Sequence, residues 1–301
     1  MKDLIIGGAS NYEWFHLRNW VKSIKASGFT GDIVLVGTNM KEATIQELVK
    51  QGVKLMLYGT KNENGDFEAP QNGIEPHVER FFYIWNYLSS VEQDYRYVIA
   101  TDTRDVIFQS NPSEWCEKHL QKIYSFAAQS EGLAYQHEPW GSNNFLETFG
   151  PYFHQLYKDR TIFNVGVIAG ESGIMRDLMM MIFQMAVNRP IRICDQAVFN
   201  FIVNLEPYAS EFFRCGHSDG FAVNLGTTEA AIHAGYGDIG ALAKTDPNVL
   251  KEYASTYQDT QPIIDLLGNV VEQDTQKPFV ILHQYDRVPE LKKVIDDKYR
   301  D

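Results

Sequence analysis

The feature that most constrains the fold is a regular alternation of short apolar runs and amphipathic segments at the start of the chain. The apolar runs Leu4–Ile6, Asp32–Gly37 and Val53–Tyr58 are predicted strands. The segments between them, Glu13–Ala26 and Lys41–Gln51, have apolar residues at helical spacing, and a glycine follows each of them closely. Strands that alternate with helices over so short a distance predict right-handed βαβ units and therefore a parallel sheet.

The rest of the sequence continues this α/β pattern less regularly. A tight loop is expected at Gly7–Ala9 and a longer one at residues 60–76. Further helices are predicted over His77–Val91, from Asn111, over Ile174–Asn188, over Cys194–Asn204 and at the carboxyl terminus. Further strands are predicted up to Asp102 and over Ile123–Ala128, Phe163–Ala169 and Phe279–His283. Residues 129–160 are aromatic and polar with weak periodicity, so they are expected to form an excursion that shapes a pocket.

Composition narrows the class of protein. A hydrophobic content of 44% excludes a mainly disordered chain, and a net charge of −12 argues against binding to nucleic acid or anionic lipid. The cysteines are far apart and indicate a reducing compartment; they are Cys116, Cys194 and Cys215. The sequence begins without signal-peptide architecture, and its longest apolar run, Leu178–Val187, is too short to span a bilayer. We therefore expect a cytoplasmic protein with no encoded membrane span.

The strongest candidate site is the pair of carboxylates in Tyr97-Val-Ile-Ala-Thr-Asp-Thr-Arg-Asp105. Asp102 and Asp105 follow a buried strand, and ligands of open α/β sheets bind at the carboxyl ends of the strands. Carboxylate oxygens there suit Mg²⁺ or Mn²⁺. The alternative is that Asp105 caps the following turn while Asp102 pairs with Arg104.

Three further polar positions interrupt apolar segments. His283 ends a predicted strand and is either a packed core residue or a metal ligand. Asn164 lies inside a strand, where its amide either bonds the neighbouring backbone or holds a ligand hydroxyl. Asp195 either caps the helix that it begins or, together with Gln196, faces a pocket.

Other candidates rest on position and residue type. Arg80 precedes the strand that ends at Asp102, and Arg104 lies between the two aspartates. For each arginine there are two alternatives, a contact with a ligand phosphate or a solvated ion pair. Glu131, Glu138 and Trp140 lie in the aromatic excursion and are candidate acceptor contacts.

The order of these motifs resembles that of GT-A glycosyltransferases, and most of all the glycogenin and lipopolysaccharide-galactosyltransferase type. The shared order is a βαβ half, an acidic motif that ends a strand, F-N-x-G, D-Q and a late histidine. The acidic motif is D-x-x-D here where the family has D-x-D. Asp286 and Arg287 replace the Gly and Lys that follow the histidine in the family.

The resemblance implies a Rossmann-like α/β fold with a central, mostly parallel sheet flanked by helices. It implies one GT-A domain over residues 1–301, with a nucleotide-binding half of about residues 1–128 and an acceptor-facing half of about 129–301. Its activity would be the transfer of a sugar from a nucleoside-diphosphate sugar to a carbohydrate or other hydroxyl acceptor, with Mn²⁺ or Mg²⁺ and possible retention of configuration. Two alternatives stay open: a sugar-1-phosphate nucleotidyltransferase, and a non-catalytic sugar- or partner-binding module.

The resemblance also assigns roles to residues. Asp102, Asp105 and His283 would hold the metal, and Asp195 and Gln196 would act at the transferred sugar. Asp102 and Asn164 would also contact the donor. Gly7, Arg80 and Arg104 are further candidate donor contacts, and Glu131, Glu138 and Trp140 candidate acceptor contacts, from their position and residue type rather than from a family motif.

Overall fold

The computed structural model describes residues 1–70, 72–91, 95–120, 123–246 and 248–300. The elements up to the middle of the chain are β1 (Lys2–Ser10), α1 (Trp14–Ala26), β2 (Asp32–Thr38), α2 (Glu42–Lys50), β3 (Lys54–Leu57), β4 (Thr60–Lys61), β5 (Phe67–Glu68), α3 (Pro76–Ser90), β6 (Tyr95–Thr101), β7 (Val106–Phe108), α4 (Pro112–His119), β8 (Phe126–Ala134) and α5 (Pro139–Tyr157).

The remaining elements are β9 (Thr161–Glu171), α6 (Ser172–Ala186), α7 (Asp195–Ile202), α8 (Tyr208–Glu211), β10 (Phe212–Cys215), β11 (Ala222–Asn224), α9 (Glu229–His233), α10 (Gly237–Ala243), α11 (Asn248–Thr256), β12 (Ile263–Ile264), β13 (Val270–Val271), β14 (Ile281–His283) and α12 (Pro289–Lys298). Short 3₁₀ turns lie at Tyr135–His137, His217–Asp219, Leu225–Thr227 and Tyr285–Arg287.

The main sheet has seven strands in the order β10-β8-β9-β6-β1-β2-β3. All neighbouring strands are parallel except at β9, which runs antiparallel to both β6 and β8. The parallel pairing of β1 with β2 and of β2 with β3 confirms the βαβ units predicted from the alternating pattern. The expected α/β fold with a mostly parallel central sheet is therefore confirmed.

Helices cover both faces of this sheet, and alternate residues of one strand enter the two resulting cores. Leu4 and Ile6 of β1 pack into the core that contains Phe81 of α3. Ile5 points the other way and packs into the core that contains Trp20 of α1. This period of two explains why β1 reads as a continuous apolar run: both of its faces are buried.

A second sheet of three short strands lies in the order β11-β14-β7. Strand β14 pairs in parallel with β11 and antiparallel with β7, so that His283 lies opposite both Asn224 and Val106. The carboxyl-terminal segment is thereby brought beside the residues that follow β6. This pairing determines the position of the candidate site.

The second half of the chain is more regular than expected. Residues 129–134 complete strand β8, and Pro139–Tyr157 form a helix with a kink at Gly150, whose φ is 81°. The excursion expected over residues 129–160 therefore consists of regular elements. Strand β8 contains buried polar residues and helix α5 contains a kink, so neither element has a regular spacing of apolar residues in the sequence.

Two loop predictions also need correction. Residues 60–76 contain the short hairpin of β4 and β5. The expected loop at Gly7–Ala9 is instead the last part of β1, which continues to Ser10.

Gly7 is required by close packing rather than by a turn. A Cβ atom at this position would overlap the methyl group of Thr103, and it would lie 3.0 Å from the carbonyl oxygen of Thr101 and 3.3 Å from the ring of Trp20. The segment that carries Asp102 therefore packs directly on the backbone of β1.

Gly7→Ala should destabilise the protein by about 1–3 kcal/mol, because the added methyl group overfills a packed site. Equilibrium unfolding in urea measures this loss. Gly173→Ala is the matched control, since an added Cβ at this exposed helical position meets no atom within 4 Å. Equal stability of the Gly7→Ala variant and the wild type would contradict the packing argument.

Candidate active site

A cleft with a volume of about 600 Å³ opens at the carboxyl ends of β1, β2 and β6. Its walls come from the ends of these strands, the first turns of α3 and α7, the middle of β9 and the residues around β14. A volume of several hundred Å³ is typical of small-molecule sites. Ligand binding at this edge is the usual arrangement in open α/β sheets.

The three predicted metal ligands meet in this cleft. Asp102 is fixed by a hydrogen bond from its backbone N–H to the carbonyl oxygen of Gly166, 2.7 Å away. Asp105 immediately precedes β7, and its carbonyl oxygen accepts a hydrogen bond of 2.7 Å from the N–H of Gln284, next to His283. Backbone pairing therefore brings together residues that are far apart in the sequence.

The side chains of Asp102, Asp105 and His283 offer one ligand atom each, all within 4.8 Å of one another. Nε2 of His283 lies 3.5 Å from Oδ2 of Asp102 and 3.9 Å from Oδ1 of Asp105. Ligands on one octahedral cation, at bonds of about 2.1 Å, lie about 3–4 Å apart. The spacing suits a single divalent ion.

A neighbouring amide prepares His283 for this role. Asn224 donates from Nδ2 to the carbonyl oxygen of Ser130 (3.0 Å), which turns its Oδ1 toward Nδ1 of His283 at 3.0 Å. An amide oxygen can only accept, so Nδ1 carries the proton and Nε2 presents a lone pair. Burial lowers the pKa of His283 and favours the neutral ring. Two carboxylates and a neutral imidazole fit Mn²⁺ or Mg²⁺.

Gly166, the glycine of the F-N-x-G motif, makes room for this histidine. A Cβ at this position would lie 2.8 Å from Nε2 of His283 and 2.9 Å from Oδ1 of Asn164. The ring therefore packs against bare backbone.

Arg80 connects the predicted metal site to the predicted catalytic pair. Its Nη1 contacts Oδ1 of Asp102, and its Nη2 lies 3.1 Å from Oδ2 of Asp195. Cys194 is the residue before α7, and Asp195 is the first residue of that helix rather than its cap. Asp195 therefore does not cap the helix, and the arginine that pairs with Asp102 is Arg80 rather than Arg104.

A buried carboxyl group lies behind the predicted sugar contacts. Oε1 of Glu131 accepts hydrogen bonds from Nδ2 of Asn164 (2.7 Å) and Nε2 of Gln196 (3.2 Å). The amide oxygen of Asn164 accepts from the N–H of Gly166 at 2.7 Å, so this amide has partners at both ends. Burial, with the nearby charge of Glu138, raises the pKa of Glu131 to about 7.

The other two acceptor candidates lie at the start of α5. Glu138 caps this helix by accepting from the N–H groups of Trp140 and Gly141. The side chain of Trp140 lines the cleft and keeps 51% of its surface exposed. Glu138 thus combines a structural role with a place in the cleft wall.

One predicted donor contact is not in the cleft. Gly7 faces the core side of β1, because successive residues of a strand point to opposite faces, and Gly8 lines the cleft instead. Arg104 does line the cleft, and its Nη2 lies 3.9 Å from both Asp105 and Asp286.

Several residues in the cleft or next to it were not predicted from the sequence. Arg287 lies 3.6 Å from Asp105 and packs its guanidinium 4.8 Å from the ring centre of Tyr236. Tyr12 lines the cleft beyond the end of β1. Asn224 could have been found as a polar residue inside an apolar strand, which is the signal that identified Asn164.

Comparison with solved structures identifies the architecture. Mouse xyloside xylosyltransferase 1 in its apo form is 12% identical, with a TM-score of 0.52 over 93% of this chain and 97% of that chain. An active-site mutant of LgtC is 13% identical, with a TM-score of 0.51 over 97% of this chain and 95% of that one. The chain has the GT-A glycosyltransferase fold.

A further structure, of the galactosyltransferase LgtC in complex with donor and acceptor sugar analogs, is 13% identical with a TM-score of 0.48. It covers 93% of this chain and 86% of that chain. No family model matches the sequence, and no curated protein matches it.

Gly166→Ala should weaken Mn²⁺ binding by about 10–100-fold, because the new methyl group displaces the His283 ring from the carboxylates. Asn224→Ala should act in the same direction by removing the acceptor that orients the ring. Electron paramagnetic resonance of free Mn²⁺ measures both affinities, with Gly173→Ala as the control. Wild-type affinity in both variants would remove His283 from the ligand set.

Glu131→Gln should stabilise the protein at pH 8 by about 1–3 kcal/mol and have little effect at pH 5. The pKa of this carboxyl is higher in the folded state than in the unfolded state. Between about pH 4.5 and 7 the Glu131 carboxyl ionises in the unfolded chain but stays protonated in the folded one. The free energy of unfolding of the wild type therefore falls as the pH rises through this range. Urea unfolding at the two pH values measures the difference.

The control for this experiment is Glu63→Gln, which removes one carboxylate from an exposed loop. An equal stability change at pH 5 and pH 8 for Glu131→Gln would contradict the raised pKa.

Proposed function

We propose that this protein transfers a glycosyl group from a nucleoside-diphosphate sugar to a hydroxyl acceptor, with the help of a divalent cation. The observation that carries the proposal is the convergence of Asp102, Asp105 and His283 at the edge of the sheet where ligands bind. The glycosyltransferases with the same fold are consistent with it.

The donor would lie along the cleft from β1 to α7. Ser10 and Thr38 hydrogen-bond to each other at 2.9 Å at the ends of β1 and β2, and Tyr12 lies beside them. An aromatic ring and two hydroxyl groups are suitable contacts for a base and a ribose. This end of the cleft is therefore the proposed nucleoside subsite.

The diphosphate would lie between this subsite and His283. The cation would neutralise the negative charge that develops on the departing diphosphate, and it would be held by Asp102, Asp105 and His283. Arg80, Arg104 and Arg287 also line the cleft, and each lies within ion-pair distance of a carboxylate of this site. These arginines supply local positive charge on a protein with a net charge of −12.

The reaction would break the bond between the anomeric carbon and the diphosphate oxygen and form a bond to the acceptor oxygen. Asp195 would stabilise positive charge at the sugar, since its carboxylate lines the cleft, and Arg80 at 3.1 Å would hold that carboxylate in position. Gln196 would orient the sugar from the next position of α7. In a retaining reaction the acceptor proton would leave with the diphosphate oxygen.

Inversion would require a protein base for the acceptor proton. Glu131 has the properties of such a base, because it lines the cleft and its pKa of about 7 is near physiological pH. Retention remains the proposal, on the strength of the D-Q motif.

The other functions are less well supported. A sugar-1-phosphate nucleotidyltransferase and a non-catalytic binding module are not favoured by the similarity to glycosyltransferases. The division into a donor half and an acceptor half near residue 128 stays a proposal, since both halves contribute strands to the main sheet. Among the helices that the structure describes, none has the length and hydropathy needed to cross a membrane.

Asp105→Ala and His283→Ala should each reduce the rate of donor turnover by about 10²-fold or more, because each removes one ligand of the cation. The assay measures nucleoside diphosphate released from UDP- and GDP-sugars across a Mn²⁺ titration. Removal of the metal with EDTA should abolish the same activity in the wild type.

Asp177→Ala is the control, because this carboxylate is exposed on α6 and is not among the residues that line the cleft. Unchanged turnover in both Asp105→Ala and His283→Ala would reject the metal site.

A further inference from the structure

One part of the cleft has a composition unlike the rest, and we call it the mouth. It consists of Glu138, Trp140, Ile193 and Asp238, with the buried carboxyl of Glu131 at its inner end, and all of these residues line the cleft. Glu138 and Trp140 begin α5, Ile193 precedes α7, and Asp238 lies in α10. The carbonyl oxygen of Ile193 accepts a hydrogen bond of 2.6 Å from Asn144, which holds it beside α5.

Charge is unevenly distributed along the cleft. The arginines that line it are Arg80, Arg104 and Arg287, and all of them contact the aspartates around the proposed metal site. Among the described residues that line the cleft, those of the mouth include carboxyl groups and no arginine or lysine.

The carboxyl groups of the mouth lie close enough to affect one another. Besides burial, the charge of Glu138 raises the pKa of Glu131, and the charge of Asp238 raises the pKa of Glu138. A ligand that enters here meets the carboxyl oxygens of Glu138 and Asp238, which are hydrogen-bond acceptors, and no cationic side chain of the mouth offsets their charge. A second anion at this position would be repelled.

The apolar surface of the mouth is also exposed. Trp140 keeps 51% of its surface accessible and Ile193 keeps 39%. The backbone of Trp140 is held by the helix cap, because its N–H donates to Oε1 of Glu138 at 3.3 Å. An exposed indole at the edge of a cleft is a flat platform for the apolar face of a ligand.

We infer that the acceptor is an uncharged pyranose at the end of a glycan, stacked on Trp140 with its hydroxyl groups donating to the carboxylates of the mouth. A pyranose ring has a face of C–H groups that packs on an indole and a rim of hydroxyls that donate hydrogen bonds. A phosphorylated sugar or a uronic acid adds negative charge, which these carboxylates disfavour. The inference rests on the proposed glycosyl transfer and specifies its acceptor class.

The test compares acceptors that differ only in charge. Each uncharged p-nitrophenyl glycoside of glucose, galactose, mannose, xylose and N-acetylglucosamine is assayed, and the glucoside and galactoside are paired with the glucuronide and galacturonide. The readout is nucleoside diphosphate released above the acceptor-free rate, with the product verified by mass spectrometry. We expect kcat/KM for the uncharged member of a pair to be at least about tenfold higher.

The opposite results overturn the inference. Equal or better use of a uronide, or stimulation by a serine-containing peptide and by none of the uncharged glycosides, excludes an uncharged pyranose acceptor. Failure of the proposed function looks different, because no nucleoside-diphosphate sugar would then be hydrolysed or raise the Tm in the presence of Mn²⁺.

A pair of variants tests the platform itself. Trp140→Ala should raise the KM for the glycoside by about tenfold or more, and Trp140→Phe should raise it less, since a smaller ring is retained. Tyr152→Ala is the matched control, because Tyr152 lies on the same helix, is 72% exposed and does not line the cleft. An unchanged glycoside KM in Trp140→Ala rejects the stacking.

Discussion

The candidate site depends on one short piece of backbone pairing. Strand β14 lies against β7, and the N–H of Gln284 donates to the carbonyl oxygen of Asp105 at 2.7 Å. This places His283 beside carboxylates that come from the opposite half of the sequence. Without the pairing of β14 with β7, Asp102 and Asp105 would be two acidic residues in a turn at the end of a strand. A three-stranded sheet therefore determines whether the cleft can hold a cation.

Much of this arrangement was predictable because it lies at strand ends. Asp102 and Asp105 follow the apolar run of β6, and ligands of open α/β sheets bind at the carboxyl ends of the strands. The place of His283 beside them was expected from the family resemblance, because β14 belongs to the second sheet. Asn164 was recognisable as an amide inside an apolar strand. The GT-A fold followed from the alternating elements together with the order of these motifs.

The rest could not be predicted, for reasons that differ from residue to residue. Gly7 was expected in a tight loop and as a donor contact, but the strand continues to Ser10 and Gly8 lines the cleft instead. The polar residues around Glu131 interrupt strand β8, and Gly150 interrupts α5, so neither element has a clear period. Arg287 reaches the site only through tertiary contacts, which no local pattern encodes.

The smallness of β14 has a consequence for the carboxyl-terminal part of the molecule. Three residues of strand hold His283 in place, and its ring packs against bare backbone at Gly166. A cation shared by Asp105 and His283 would act as a clamp between the beginning and the end of the chain. A cation that binds only the folded arrangement would stabilise this contact, so occupancy of the site and order at the end of the chain would be coupled.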